Sequence, residues 1–134
     1  MAPIADEAAF DDFVAARAPA LMRTAYLLTR DHQLAEDLLQ TALFKAAGAW
    51  DRIEGEPEPY VRRILYTESI SRWRRRRPAE VFADHDAPAA PDADVDLRVS
   101  LERALDRLTV RQRTVLVLRY YEDLTEAETA RVLG

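Results

Sequence analysis

Apolar positions recur along this chain at three- and four-residue intervals, the spacing that puts them on one face of a helix. Phe10, Phe13, Val14, Leu21, Ala25 and Leu28 define a first helix from about Glu7 to Leu28. Pro19 falls inside it, and its missing N–H and its ring predict a kink or a division near Ala18. A second helix follows Thr29-Arg30-Asp31. Leu34, Leu38, Ala42, Ala46 and Trp50 step along it by four, with Ala35, Leu39 and Leu43 alongside. Leu38, Leu39, Leu43 and Phe44 together wrap more of the helix than one buried stripe needs. That predicts one face for the core and another for a partner. Asp31, Glu36 and Asp37 crowd its start, where the helix dipole favours acids.

The segment DRIEGEPEP, residues 51–59, carries Gly55, Pro57 and Pro59 and reads as a loop. A third helix is expected from near Pro59 until Pro78 stops it, with Tyr60, Val61, Ile64, Leu65, Ile70 and Trp73 as its apolar members. Residues 79–96 hold acids, alanine and proline without helical period and read as a flexible acidic linker. Three short helices are predicted beyond it. Leu97, Leu101, Ala104, Leu105 and Leu108 mark the first, and Val115, Leu116 and Leu118 the second, from about Val110 to Tyr121. The third runs from Glu126 to Leu133. Thr109 stands three residues before Gln112, and Thr125 three before Glu128, so each starts a helix with a capping box. Gly134 sits where a C-terminal glycine belongs. The expected fold is all-α: two small helical domains, 1–78 and 97–134, joined by the linker 79–96.

Composition sharpens this picture at a few points. Three glycines in 134 residues, with abundant Ala, Leu, Arg and Glu, favour helices. No cysteine is present, which excludes disulfides and thiolate metal sites. The N-terminus lacks the basic start and apolar core of a signal peptide, and no apolar run nears the roughly 20 residues that span a bilayer. A cytoplasmic protein without membrane insertion is expected.

The net charge of −5 hides an uneven distribution. Residues 60–78 hold seven arginines against one glutamate, between an acidic N-terminal stretch and the acidic linker. Arg62, Arg63, Arg72, Arg74, Arg75, Arg76 and Arg77 are interleaved with Tyr60, Tyr66 and Trp73. Guanidinium forks suit phosphate oxygens and aromatic rings stack on unpaired bases, so this helix is a candidate for single-stranded or melting DNA. A solvated helix end, its arginines answering the C-terminal dipole, is the plainer alternative. Trp50 reads equally as a core aromatic or as a functional one. His32 and His85 are the only histidines and read as surface residues. Asp84, Asp86, Asp92, Asp94 and Asp96 lack the turn glycine and terminal Glu of a calcium loop. No nucleophile motif or phosphate loop appears, so no catalytic residue, metal or cofactor is expected and the chain is not read as an enzyme.

AEDLLQTALFKAAGAW (35–50), YVRRILYTESISRWRRRR (60–77) and LERALDRLTVRQRTVLVLRYYEDLTEAETARVLG (101–134), in this order, resemble the extracytoplasmic-function sigma factors of bacterial RNA polymerase. The resemblance implies a transcription-initiation protein with a region-two-like domain over 1–78 and part of a region-four-like helix-turn-helix domain over 97–134. It places Asp37, Leu38, Gln40, Leu43, Phe44 and Lys45 against the clamp helices of the polymerase β′ subunit. Trp50 and the loop to Pro59 would lie near a flipped minus-ten base. Arg62, Arg63, Tyr66, Thr67, Arg72, Trp73, Arg74, Arg75 and Arg76 would face melting promoter DNA. An anti-sigma factor is a further implied partner, and the acidic linker would thread a channel built for nucleic acid. Many members carry Asn where this chain has Thr67, which implies a different base preference. The resemblance also implies a recognition helix beyond Gly134. As given, the sequence is therefore expected to engage polymerase and minus-ten DNA without reading a minus-thirty-five element, as a fragment or a truncated form, and its 97–134 helices to be weakly stable alone. Two other readings stay open. One is a sigma-like module that binds polymerase or an anti-sigma partner without directing initiation; the other is an unrelated helix-turn-helix repressor.

Overall fold

The computed structural model describes residues 7–80 and 97–134, the side chains of 76–80 excepted. Among the described residues there are helices and no strands. Residues 81–96 of the proposed linker, with His85 and its aspartates, and the side chains of Arg76 and Arg77 lie outside them.

Helix α1 spans Glu7–Thr29 and α2 spans His32–Ala49. Arg30, at φ 54, turns the chain between them, and the Asp31 carboxylate caps α2 by accepting from the N–H groups of Gln33 (2.9 Å) and Leu34 (3.0 Å). A two-residue link of this kind makes α1 and α2 packed neighbours, and they share the largest interhelical contact of the fold. Pro19 does not divide α1 as expected. It and Ala15, whose carbonyl it leaves without a helical donor, are both exposed, so solvent can take the donor's place. Beyond it Leu21, Thr24, Ala25 and Leu28 are buried, so packing keeps the second half helical and continuous with the first.

A single 3-10 turn, Trp50–Arg52, and a loop through Gly55 (φ 76) lead to α3, Pro57–Glu80. Its start is two residues earlier than Pro59, with Pro57 in the first turn where its missing N–H costs nothing. It also runs past Pro78. Proline's fixed φ suits a helix, and near the end only one backbone bond is forfeited.

Helix α4 is Leu97–Arg107, α5 is Val110–Leu116, and α6 is Glu126–Leu133. Both capping boxes form: Thr109 with Gln112 and Thr125 with Glu128, each reciprocal pair at 3.0–3.1 Å. The expected helix from Val110 to Tyr121 changes character midway. Val117–Tyr121 widens into a π-helical turn, closed by the Glu122 N–H donating to the Val117 carbonyl at 2.9 Å. Asp123, at φ 59, then redirects the chain. Gly134, at φ 81, donates its N–H to the Ala130 carbonyl, as a helix-ending glycine does.

Leu21, Leu28, Leu38 and Leu65 form the centre of the core, and Val117 and Leu118 join that same cluster. The C-terminal helices thus lean on α1 instead of building a separate apolar centre. Helix α4 buries no side chain, and Leu97 and Leu101 stay exposed. Leu118→Ala is expected to destabilise the whole chain by about 2–5 kcal/mol. In urea, its helical signal and a fluorescence probe at Trp50 should fall together. Two separated transitions would show that 97–134 holds together by itself.

Candidate functional site

Four turns of α3 form an exposed stripe, because Tyr60, Arg63, Thr67 and Arg74 follow one another at helical spacing. Arg75 extends it and donates to the Ser71 hydroxyl at 2.9 Å. The Thr67 hydroxyl is turned back onto the carbonyls of Arg63 (3.0 Å) and Ile64 (3.2 Å). Arg72 points the other way: it donates to the Thr41 hydroxyl of α2 at 2.7 Å and lies 4.0 Å from Glu68. Trp73 is half-buried, in a recess with Leu28, Leu34 and Arg113.

Two predicted contact residues are corrected by their burial. Tyr66, at 4% exposure, belongs to the core and does not face DNA. Leu38 is fully buried and does not reach a partner, because it belongs to the core cluster. Arg62 is also turned inward. It donates to Glu58 (3.0 Å), to the Thr24 hydroxyl (2.7 Å) and to Glu122 (2.6 Å). Arg17 of α1 completes the cluster with a two-pronged contact to Glu58 at 2.7 and 3.0 Å.

The electrostatics follow from that packing. Burial disfavours the Arg62 charge, yet the Glu122 and Glu58 carboxylates outweigh it and raise its pKa above the ordinary value. The Tyr66 phenol is pushed well up, by burial foremost and then by the Glu122 carboxylate. Glu58 is held below the usual carboxylate range, chiefly by its hydrogen bond from Arg17.

A second surface lies on α2. Asp37, Gln40, Phe44 and Lys45 are exposed, Leu43 is half-buried, and the Phe44 ring stands 79% open to solvent. Lys45 reaches across to Glu68 of α3. With Arg72 on Thr41, this links the α2 surface to the basic helix. Trp50 packs on α1, edge-to-face with Phe10 at 5.1 Å and tilted against Phe13 at 5.7 Å. His32 is exposed and stacks on Tyr26 at 4.2 Å.

Sequence reasoning missed the contacts between the two ends of the chain. Glu122, Arg17 and Arg113 carry no motif. Arg113 is nearly buried and donates to the Leu28 carbonyl at the end of α1 (3.2 Å), and Arg30 pairs with Asp106 of α4 at 2.7 Å. Their partners stand 60, 41, 85 and 76 residues away, beyond any local pattern. Between α3 and α6 these contacts leave a cleft of about 540 Å³, lined by Arg62, Arg63 and Arg131 as well as Glu58, Glu122 and Glu128. Among the described residues no cluster of potential ligands could hold a metal, and no helix is long and apolar enough to cross a membrane.

Comparison with known proteins finds matches along most of the chain. The family profile described as Sigma-70 region 2 matches residues 13–79, and that described as Sigma-70, region 4 matches residues 98–134. The chain is 38% identical to an RNA polymerase sigma-E factor of Streptomyces avermitilis, over 93% of its own length and 73% of that protein's. It is 36% identical to the RNA polymerase sigma-E factor of Streptomyces coelicolor, with the same two coverages. It is 32% identical to the ECF RNA polymerase sigma factor SigM of Mycobacterium tuberculosis, over 96% of this chain and 68% of that one.

Glu58 generates a pH prediction. Its folded-state pKa lies below its unfolded value near 4.5, so its stabilising pairing is complete above that pH and is lost as pH falls through the lowered value. Glu128, lowered by its bonds within the Thr125 capping box, acts in the same direction. Glu58→Gln is expected to lower the melting temperature at neutral pH and to flatten part of its fall as the pH drops below the unfolded value near 4.5. An acid limb as steep as the parent's would assign that fall to other carboxylates.

Proposed function

Since the chain belongs to the sigma-70 family of RNA polymerase sigma factors, among those of extracytoplasmic-function type, we propose that α2 docks it on the polymerase while α3 holds the promoter's minus-ten strand. It is a sigma factor, directing RNA polymerase in transcription initiation. The observation that carries the division of labour is the exposed stripe of Tyr60, Arg63, Thr67 and Arg74 on a helix braced against α2.

On this reading the Phe44 ring is the apolar anchor of the polymerase contact, the kind of exposed aromatic that dominates binding once a partner desolvates it. Asp37, Gln40, Leu43 and Lys45 surround it and set its register against the β′ clamp helices. Arg63, Arg74 and Arg75 neutralise strand phosphates, while Tyr60 offers a stacking face and Thr67 a hydroxyl. Trp50, anchored by Phe10 and Phe13, positions the loop to Pro59 beside an unstacked base. Residues 1–78 and 97–134 act as the two functional domains, with 79–96 the connection. The chain contributes binding free energy in the cytoplasm, and the nucleotidyl transfer stays with the polymerase. An anti-sigma protein is a further partner for the same surfaces.

Two measurements test this. Phe44→Ala is expected to weaken binding to core polymerase by about 30-fold, the loss of about 2 kcal/mol usual for a buried aromatic anchor. A change below about three-fold would remove Phe44 from the contact. Arg63→Ala and Arg75→Ala should each reduce the salt dependence of single-strand binding, by about 0.7 in the log–log slope per phosphate released. An unchanged slope in both would mean that α3 does not track the backbone.

A further inference from the structure

Two clefts lie side by side between α3 and α6, and Arg131 and Val132 line both of them. They differ in charge. The first, described above, mixes three arginines with three glutamates. The second, of about 490 Å³, is walled by Ser71, Arg74 and Arg75 of α3 and by Arg131, Val132 and Gly134 at the end of α6. No acidic residue lines it. Its volume falls in the range of small-molecule sites.

Three guanidiniums around one cleft repel one another, and each keeps donors to offer. Arg74 commits one amino group to the Leu133 carbonyl, and Arg75 commits one to the Ser71 hydroxyl at 2.9 Å. Because Ser71 accepts there, its own proton is left for another acceptor. Arg131 is exposed, and among the described residues no carboxylate forms an ion pair with it. Glu128 attracts it from one turn back but is held in the Thr125 capping box. Gly134, at φ 81, keeps the wall open, since a Cβ there would come within 3.2 Å of the Arg74 guanidinium. Planar forks with donors to spare, a hydroxyl and no carboxylate suit phosphate oxygens, and a bound polyanion relieves the repulsion among the arginines.

We infer that this cleft binds a small oligophosphate, held between Arg74 and Arg75 on one side and Arg131 on the other. Arg131 separates the site from the strand contact proposed for α3, because it lies on α6 and that contact does not use it. The site therefore stands whether or not α3 holds a strand. A ligand gripped by both helices joins α3 to α6 and stabilises the fold as its concentration rises. The oligophosphate is either inorganic or carried by a nucleoside, whose base would lie in the adjoining cleft against Leu124 and Val132.

The test uses the full chain with inorganic triphosphate as the probe, sodium chloride keeping the ionic strength constant. Melting temperature and titration calorimetry are read together. The expected result is a melting temperature that rises with triphosphate, and saturable binding. Arg131→Gln is expected to weaken that binding about ten-fold, the loss of a charge-assisted contact. Arg111→Gln removes an exposed charge of α5 outside the cleft and is expected to change it by less than about two-fold. Circular dichroism checks that each variant keeps its helices. Should Arg131→Gln lose them, Arg131→Lys keeps the charge without the fork and is expected to weaken binding about three-fold.

A nucleoside triphosphate is titrated in parallel. Binding about ten-fold tighter than the inorganic salt identifies a nucleotide as the ligand, and equal or weaker binding identifies a free oligophosphate. No rise in melting temperature beyond that in chloride overturns the site. So do equal losses in Arg131→Gln and Arg111→Gln, or an Arg131→Lys chain that binds as the parent does. If a fluorescent single strand binds while neither triphosphate does, the site is overturned and Arg74 and Arg75 serve DNA alone.

Discussion

An arginine drawn out of water keeps its charge, and the hydration it loses must be replaced by acceptors held in place around it. Arg62 sets this requirement at the centre of the molecule. It lies in the second turn of the most basic helix, yet its side chain turns inward and is matched by Glu58 from its own first turn, Thr24 from α1 and Glu122 from the far end of the chain. Three segments are brought to one point, and the π-helical turn at Val117–Tyr121 leads directly into the residue that completes it. The same geometry sends Val117 and Leu118 into the core formed by α1, α2 and α3. Half-buried pairs of this kind contribute little net stability against an apolar substitute, but removing one partner leaves the other charge unmatched.

The consequence for function is a rigid body with two faces. Arg72 on Thr41 and Lys45 on Glu68 brace α2 against α3, so the exposed Phe44 and the arginine stripe keep one relation to each other. A sigma factor has to hold polymerase and promoter in a set relation, and a short braced pair of helices does this with less loss of order than a flexible joint. Trp50, clamped by Phe10 and Phe13, extends that rigidity to the start of the loop before α3.

Local chemistry explains which features were legible in the residues alone. The capping boxes at Thr109 and Thr125, the Asp31 cap and the glycine at 134 depend on partners within four residues. The helical character of all six segments and the basic face of α3 come from periodicity and clustering, which are equally local. So does the two-faced nature of α2, whose surplus apolar residue proves to be the exposed Phe44. The family resemblance also lay in the sequence, in three motifs in order.

Other features belonged to the tertiary structure. Pro19 leaves α1 undivided because its unpaired carbonyl faces solvent and the turns beyond it are buried, which no reading of residues 7–29 discloses. Leu38 and Tyr66 resemble contact residues by position, yet packing from neighbouring helices covers them. Most decisive is Arg62, indistinguishable in sequence from the exposed Arg63 beside it. Its direction is chosen by a carboxylate 60 residues away. Sequence determines which helices form and what charge they carry, because those energies are summed over near neighbours. Which of two adjacent arginines is offered to a partner is decided only when distant acceptors arrive, since a charge's free energy depends on everything within a few ångströms, whatever its place in the chain.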